Sequence, residues 1–204
     1  MDQKNIFESR RSVRYFDPKK ELPDELLRRI IDLAVNAPSA FNLQPWEIIA
    51  VKTPEAKQLL ADNSGGQPKI LDAPVTLILI GDRKGYSLSN AMWDELRKRF
   101  KTEKGLKAAV DSAHSLYGTS PERQIKFAES NTGLLAMSIM YAASFFGVDS
   151  HPMSGVDFDG IKEAFDIADG KAVVMLIALG YVDEEKELGP RQKRKMYDEV
   201  VTEK

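Results

Sequence analysis

The 204-residue sequence contains no cysteine. That absence removes disulfides, iron–sulfur clusters, thiolate zinc sites and cysteine nucleophiles together, so redox chemistry here requires an organic cofactor. Histidine is scarce as well. His114 and His151 are the two in the chain; neither has a carboxylate or histidine partner at ligand spacing, and no metal is expected. Charge of one sign is also missing. With 29 Lys+Arg against 31 Asp+Glu, the formal net charge of −2 provides no global field to recruit nucleic acid or an anionic membrane, so an anion site has to be a local cluster. The longest apolar run, Ala172 to Leu179, is far too short to span a bilayer, and the opening MDQKNIFESRR holds no apolar stretch of signal-peptide length. A cytoplasmic protein is expected. There is neither a GxGxxG dinucleotide fingerprint nor a P-loop.

What the chain does contain is a succession of helices and strands. Its length fits one domain over residues 1–204. A short helix is expected over residues 2–10, capped by Asp2, with Ile6 and Phe7 on its buried side. A second starts near Pro23, and Leu26, Leu27, Ile30, Ile31 and Ala34 follow at helical spacing. Trp46–Val51 reads as a strand and Pro54–Asp62 as a helix, before Gly65-Gly66 breaks the chain. Val75–Ile80 and Ala172–Leu179 are apolar without alternation, as expected of strands covered on both faces. Ser89–His114 reads as helical, partly exposed and broken at Gly105. Residues 121–146 form a helix of roughly 39 Å at 1.5 Å per residue. Its broad apolar faces, with Leu134, Leu135, Ile139, Met140, Ala142 and Ala143, require more than one neighbour. Met137 and Met140, at helical spacing, are packing residues. Gly147 caps this helix, a loop containing Pro152-Met153-Ser154-Gly155 follows, and Asp157–Ile167 forms another helix. Strands separated by helices, with one helix of bundle length, indicate a layered α+β fold rather than a doubly wound one.

Two segments are suited to binding chemistry. Arg10, Arg11, Ser12 and Arg14 place three guanidiniums and a hydroxyl within five residues. Guanidinium forks donate paired hydrogen bonds to oxyanions, so a helix end or turn here can converge on one phosphate or polyol; a solvated basic turn or a nucleic-acid patch is the competing reading. In Ala37–Trp46, small residues and prolines fix an extended backbone whose amides, with Ser39 and Asn42, can face a planar polar ligand. An ordinary rigid loop with Trp46 in the core is the alternative. The acidic run Asp183-Glu184-Glu185 reads as solvated loop.

The order of these segments resembles the nitroreductase family: Arg10-Arg11-Ser12-Val13-Arg14, then Pro38-Ser39 with Asn42-Leu43-Gln44-Pro45-Trp46, Leu71-Asp72-Ala73-Pro74, the long helix closing in Gly147, Pro152-Met153-Ser154-Gly155, and a basic tail before Glu199-Val200-Val201. The resemblance covers nearly the whole chain. It implies an α+β layered sheet flanked by helices around a long central helix, in an intertwined homodimer with two FMN sites at the interface. It further implies that Arg10, Arg11, Ser12 and Arg14 hold the phosphate, ribityl and pyrimidine edge of FMN, while Pro38, Ser39, Ala40 and Asn42 come from the other subunit. By the same resemblance the Pro152-Met153-Ser154-Gly155 backbone approaches flavin N5, Lys69 lies at the N1/O2 edge, and Gln67 and Asn131 bond to the ring. In the tail, Arg194 and then Lys193 are the expected phosphate contacts, and Met196 stands where the family commonly has proline.

The implied activity is an NAD(P)H-dependent oxidoreductase, with NADH or NADPH as transient donor and nitroaromatics, quinones or related small acceptors reduced by ping-pong hydride transfer through flavin N5. No protein acid or base is required, since solvent can supply the proton. A narrower flavin enzyme, such as a dehalogenase or flavin reductase, remains open, as does a non-catalytic flavin- or nucleic-acid-binding module. The segment from Ser89 to Ser120, which partly covers the substrate channel in the family, has no transferable motif.

Overall fold

The computed structural model describes residues 5–100 and 102–204. Its centre is an antiparallel four-stranded sheet in the order β1-β2-β4-β3, from β1 (Trp46–Val51), β2 (Val75–Asp82), β3 (Asp149–Met153) and β4 (Lys171–Gly180). The two unalternating apolar runs are the inner strands, and both of their faces are covered. Leu77, Leu79, Ile177 and Leu179 pack with α2 (Asp24–Ala34) and α7 (Pro121–Phe145). Ile78, Ile80, Leu176 and Ala178 pack with α3 (Pro54–Asp62), α4 (Pro68–Asp72) and α8 (Phe158–Ala164). A third cluster joins Leu43 to Trp93 of α5 (Met92–Arg97), Leu106 and Val110 of α6 (Glu103–Tyr117), and Phe127 of α7.

Local chemistry accounts for most boundaries. Thr53 caps α3, Ser120 caps α7 and Asp157 caps α8, each side chain accepting from a backbone N–H of the first turn. Proline occupies the first turn of α3, α4 and α7, where its missing N–H leaves no bond unmade. Gly147, at φ +75°, lets the chain leave α7 sharply. As its sequence requires, α7 packs on the sheet and also on α1 (Ile6–Ser9), α2 and α6.

Several expectations are corrected. The first helix is the single turn α1, capped by Asn5, whose Oδ1 accepts from Phe7 N at 3.1 Å; Asp2 lies outside the described residues. Phe7 is not on a buried side but 68 % exposed, tilted against Tyr141 with ring centroids 4.5 Å apart. Gly105 does not break the charged stretch. The interruption precedes Thr102, which caps α6 by accepting from Gly105 N. Pro152 and Met153 are not loop residues but the end of β3, paired with Ile177 and Leu176. Proline is tolerated because β3 is an edge strand, with one side free of the ladder. The helix expected to reach Ile167 ends at Ala164, followed by Asp166 at φ +51°, and the tail contains a further turn, α9 (Tyr197–Val200).

The contact of α7 with β2 is especially close at Gly81. A Cβ there would stand 2.9 Å from the Cβ and carbonyl oxygen of Ala128 and from Thr132 Oγ1, so even one methyl group has to push α7 away. Gly81→Ala is expected to destabilise the protein by about 1–3 kcal/mol, read as a lower urea midpoint with an unchanged slope. An unchanged midpoint would show that the helix gives way freely.

Candidate functional site

The basic segment after α1 lies beside the edge strand β3. Val13 N donates to Ser150 O at 3.1 Å, forming a parallel bridge around Ser12 and Ser150. Further on, Asp17 N donates to Tyr181 O and Asp183 N to Tyr15 O, at 2.9 and 3.0 Å. Val13 and Phe16 are 1 % and 2 % exposed; they anchor the segment in the core and leave Arg10, Arg11, Ser12 and Arg14 on the outside.

These four residues line a cavity of about 510 Å³ with Tyr15, His151, the stretch 187–192 and Arg194. Within it, Arg11 Nη2 donates to Gly189 O at 2.6 Å. Arg191 grips the end of α1, donating to Arg10 O at 3.0 Å and Ser9 O at 2.6 Å. The tail is thereby folded over the arginines of its own chain. Arg194 reaches the cavity. Lys193, the second tail residue expected there, is not on its lining and faces Glu199 at 3.9 Å.

A second cavity, of about 410 Å³, is lined by Ser64, Gly65, Gln67 and His151–Gly155. His151 is common to both linings, so the two cavities adjoin at this residue and together make up the trough. The Gly155 backbone is open: a Cβ there would meet nothing within 4 Å. Gln67 Nε2 donates to Gly155 O at 3.3 Å, and Lys69 Nζ donates to Gln67 Oε1 at 2.8 Å. Burial, reinforced by the Arg14 guanidinium, pulls the Lys69 ammonium below its ordinary range. Arg14, on the lining of the first cavity, and Lys69, on neither lining, are thus near enough to perturb one another.

His151, read from sequence only as a poor metal ligand, is a residue of the candidate site that sequence reasoning missed. Its Nδ1 lies 2.8 Å from Val13 O. A carbonyl only accepts, so Nδ1 carries the proton and Nε2 is left as an acceptor in the neutral ring. Burial and then Lys69 pull the imidazole below its usual range; the Val13 bond opposes this, and Arg14 adds to it. The available signal was position, immediately before Pro152.

The segment 38–42 is not brought to this trough within the chain. Pro38 and Asn42 are exposed, and the loop is held in a strained form, with Phe41, Asn42 and Gln44 at φ +53°, +54° and +47°. Ser39 Oγ accepts from Gln44 N at 2.9 Å, and Asn90 Nδ2 donates to Leu43 O at 2.8 Å. Asn131 is buried behind the loop, its Oδ1 accepting from Ala40 N at 2.8 Å and its Nδ2 donating to Phe127 O at 2.6 Å. Both ends of that amide are engaged within the chain, so Asn131 helps to position the loop, and one N–H of its Nδ2 is not used in these bonds.

The family model described as Nitroreductase family matches residues 7–181, which include nearly all of the trough except its tail. The chain belongs to the nitroreductase family. Family membership makes it an oxidoreductase, and the layered α+β fold agrees. It is 31 % identical over 188 residues to the NADH dehydrogenase of Thermus thermophilus, covering 91 % of this chain and 89 % of that protein. A nitroreductase-like protein from Streptococcus mutans superposes with a TM-score of 0.86 at 30 % identity, over 97 % of this chain and 96 % of the other. A Staphylococcus epidermidis protein named for NAD(P)H:FMN oxidoreductase activity gives 0.85 at 26 %, over 99 % and 97 %. Among the described residues, no helix is long and apolar enough to cross a membrane, and no group of three His, Asp or Glu could hold a metal ion.

Because Asn131 holds the strained loop from behind, Asn131→Leu leaves Ala40 N–H and Phe127 O without that partner. A loss of about 1–3 kcal/mol is expected, together with faster hydrogen exchange at the Ala40 amide. Equal protection of that amide in variant and parent would show that other contacts hold the loop.

Proposed function

We propose that the trough is an FMN site completed by a second copy of the chain, and that the protein uses NADH or NADPH to reduce nitroaromatics, quinones or related small acceptors. The observation that carries this reading is the convergence of Arg10, Arg11, Ser12, Arg14 and Arg194 on one cavity that adjoins, at His151, a second one lined by the Pro152–Gly155 segment. Its volume falls within the range of about 300–1,000 Å³ usual for small-molecule sites. Among the described residues, Glu187 is the one carboxylate on its lining, so the wall suits a phosphate and a polar ring edge. The names of the Thermus and Staphylococcus relatives, for NADH and NAD(P)H:FMN chemistry, support the same donor and cofactor.

When bound, FMN supplies hydride transfer through its N5 in two half-reactions. The chain's own residues do the rest. Arg10, Arg11 and Arg194 pair with phosphate and ribityl oxygens, the paired N–H groups of each guanidinium fixing orientation as well as charge. Arg14 and Lys69, close enough to perturb one another, favour negative charge at the pyrimidine edge. Gln67 and the backbone of Met153, Ser154 and Gly155 border the ring. Pro38, Ser39, Ala40 and Asn42 lie off this trough in their own chain and reach the site of the second copy, with Asn131 holding them in place.

Apolar surface supports the dimer. Leu134 and Phe145 of α7 are 48 % and 60 % exposed on a helix that buries Leu135, Ile139 and Ala143 in the core, and pairing of two copies would cover them. Light scattering with absorbance detection is expected to give twice the 22.8 kDa chain mass and one FMN per chain. A monomer saturated with FMN would contradict the shared site.

A further inference from the structure

His151 is the one group on the trough whose ordinary pKa lies near neutrality, and it stands where the two cavities join. Its Nδ1–H is committed to Val13 O at 2.8 Å, and Nε2 has no protein hydrogen-bond partner among the described residues. The charged and titratable groups around it come from four parts of the fold. Arg10, Arg11, Arg14 and Tyr15 flank it from the basic segment, and Lys69 from α4. Glu187, Arg191 and Arg194 face it from the tail. On its own strand, Asp149, two residues before it, accepts from Val182 N at 2.9 Å.

An imidazolium among these cations is disfavoured, and burial works in the same direction. The neutral ring is therefore favoured while the trough has no added negative charge. A unit of negative charge about 6 Å away, at an effective dielectric near 20, raises a group's proton affinity on the order of 100-fold. That is enough to carry a histidine across neutrality.

We propose that His151 is the proton-accepting residue of this trough: Nδ1–H stays on Val13 O, and Nε2 takes up one solvent proton when two electrons enter the bound flavin. The inference rests on the FMN reading above. Electrons and protons balance as follows. The reduced nicotinamide delivers two electrons and one hydrogen as hydride, and leaves oxidised. The cofactor gains one negative charge, and Nε2 offsets it with a proton from water. When hydride passes on to the acceptor, the Nε2–H bond breaks and that proton goes to the acceptor or to solvent.

The chain's two histidines make the test direct. Ring-proton NMR titrations, with His114→Gln to assign the signals, would follow His151 in the FMN-free, oxidised and dithionite-reduced protein. Its pKa is expected to rise on reduction by about two units, the 100-fold estimated above. Between the oxidised and reduced values, the potential of bound FMN is expected to fall with pH more steeply than in His151→Asn, by about 30 mV per pH unit, one extra proton per two electrons. Asparagine keeps an N–H for the Val13 carbonyl but does not titrate, so a purely structural role would leave the slope unchanged. Bound FMN with a His151 pKa equal in both redox states would overturn this inference alone. Failure of the protein to bind FMN would overturn it together with the cofactor reading.

Discussion

The bonds between residues 12–17 and the far edge of the sheet organise the rest of the site. Val13 is tied twice, its N–H to Ser150 O and its carbonyl to His151 Nδ1, and its side chain is in the core. An isolated basic pentapeptide would spend its charges on water. Held in register beside β3, the same residues project in one direction, and the strand that holds them continues into Met153, Ser154 and Gly155. One edge strand thus sets both walls of the trough. This is also why β3 tolerates a proline: the interaction it offers beyond β4 is the short Ser12–Ser150 bridge, not a full ladder.

The site concentrates positive charge that the chain as a whole lacks. Arg10, Arg11, Arg14, Lys69, Arg191 and Arg194 gather in and around one trough of a protein whose net charge is −2. Two of the guanidiniums are used internally, Arg11 on Gly189 and Arg191 on the end of α1, which closes the tail over the cavity. Like charges held this near one another raise the free energy of the empty site, and an anion that relieves them gains affinity from that arrangement. Burial first, and this field second, lower the proton affinities of Lys69 and His151.

Much of this was legible in the sequence, and the reasons differ by element. β1 and α3 appear at the residues expected because Trp46–Val51 and the Thr53-Pro54 start carry strong local signals. The unalternating runs announced strands buried on both faces, and that burial is observed. β3 was read as loop because Asp-Ser-His-Pro-Met has weak strand propensity; its pairing is fixed by β4, a long-range contact that no local window contains. The arginine cluster was evident from its composition, and ordered motifs pointed to the family. His151 and Arg191 were not, because one acquires its setting from Val13 and Lys69 and the other from Ser9 and Arg10, all distant in sequence. Asn131 was visible as a polar residue in an apolar helix, but only the fold shows that its amide is bonded to Ala40 and Phe127.

The central claim is that this arginine-lined trough reads a phosphate together with a polar ring, and a comparison of FMN with riboflavin tests it most directly. Titration calorimetry of the cofactor-free protein with each, at low and high salt, separates the phosphate from everything else the two molecules share. Charge-assisted bonds contribute about 1.5–3 kcal/mol each, and every 1.4 kcal/mol is tenfold in affinity. Two such bonds predict FMN binding at least about 100-fold tighter than riboflavin, with the ratio shrinking as salt screens the guanidiniums. Equal affinities for FMN and riboflavin, insensitive to salt, would contradict the account.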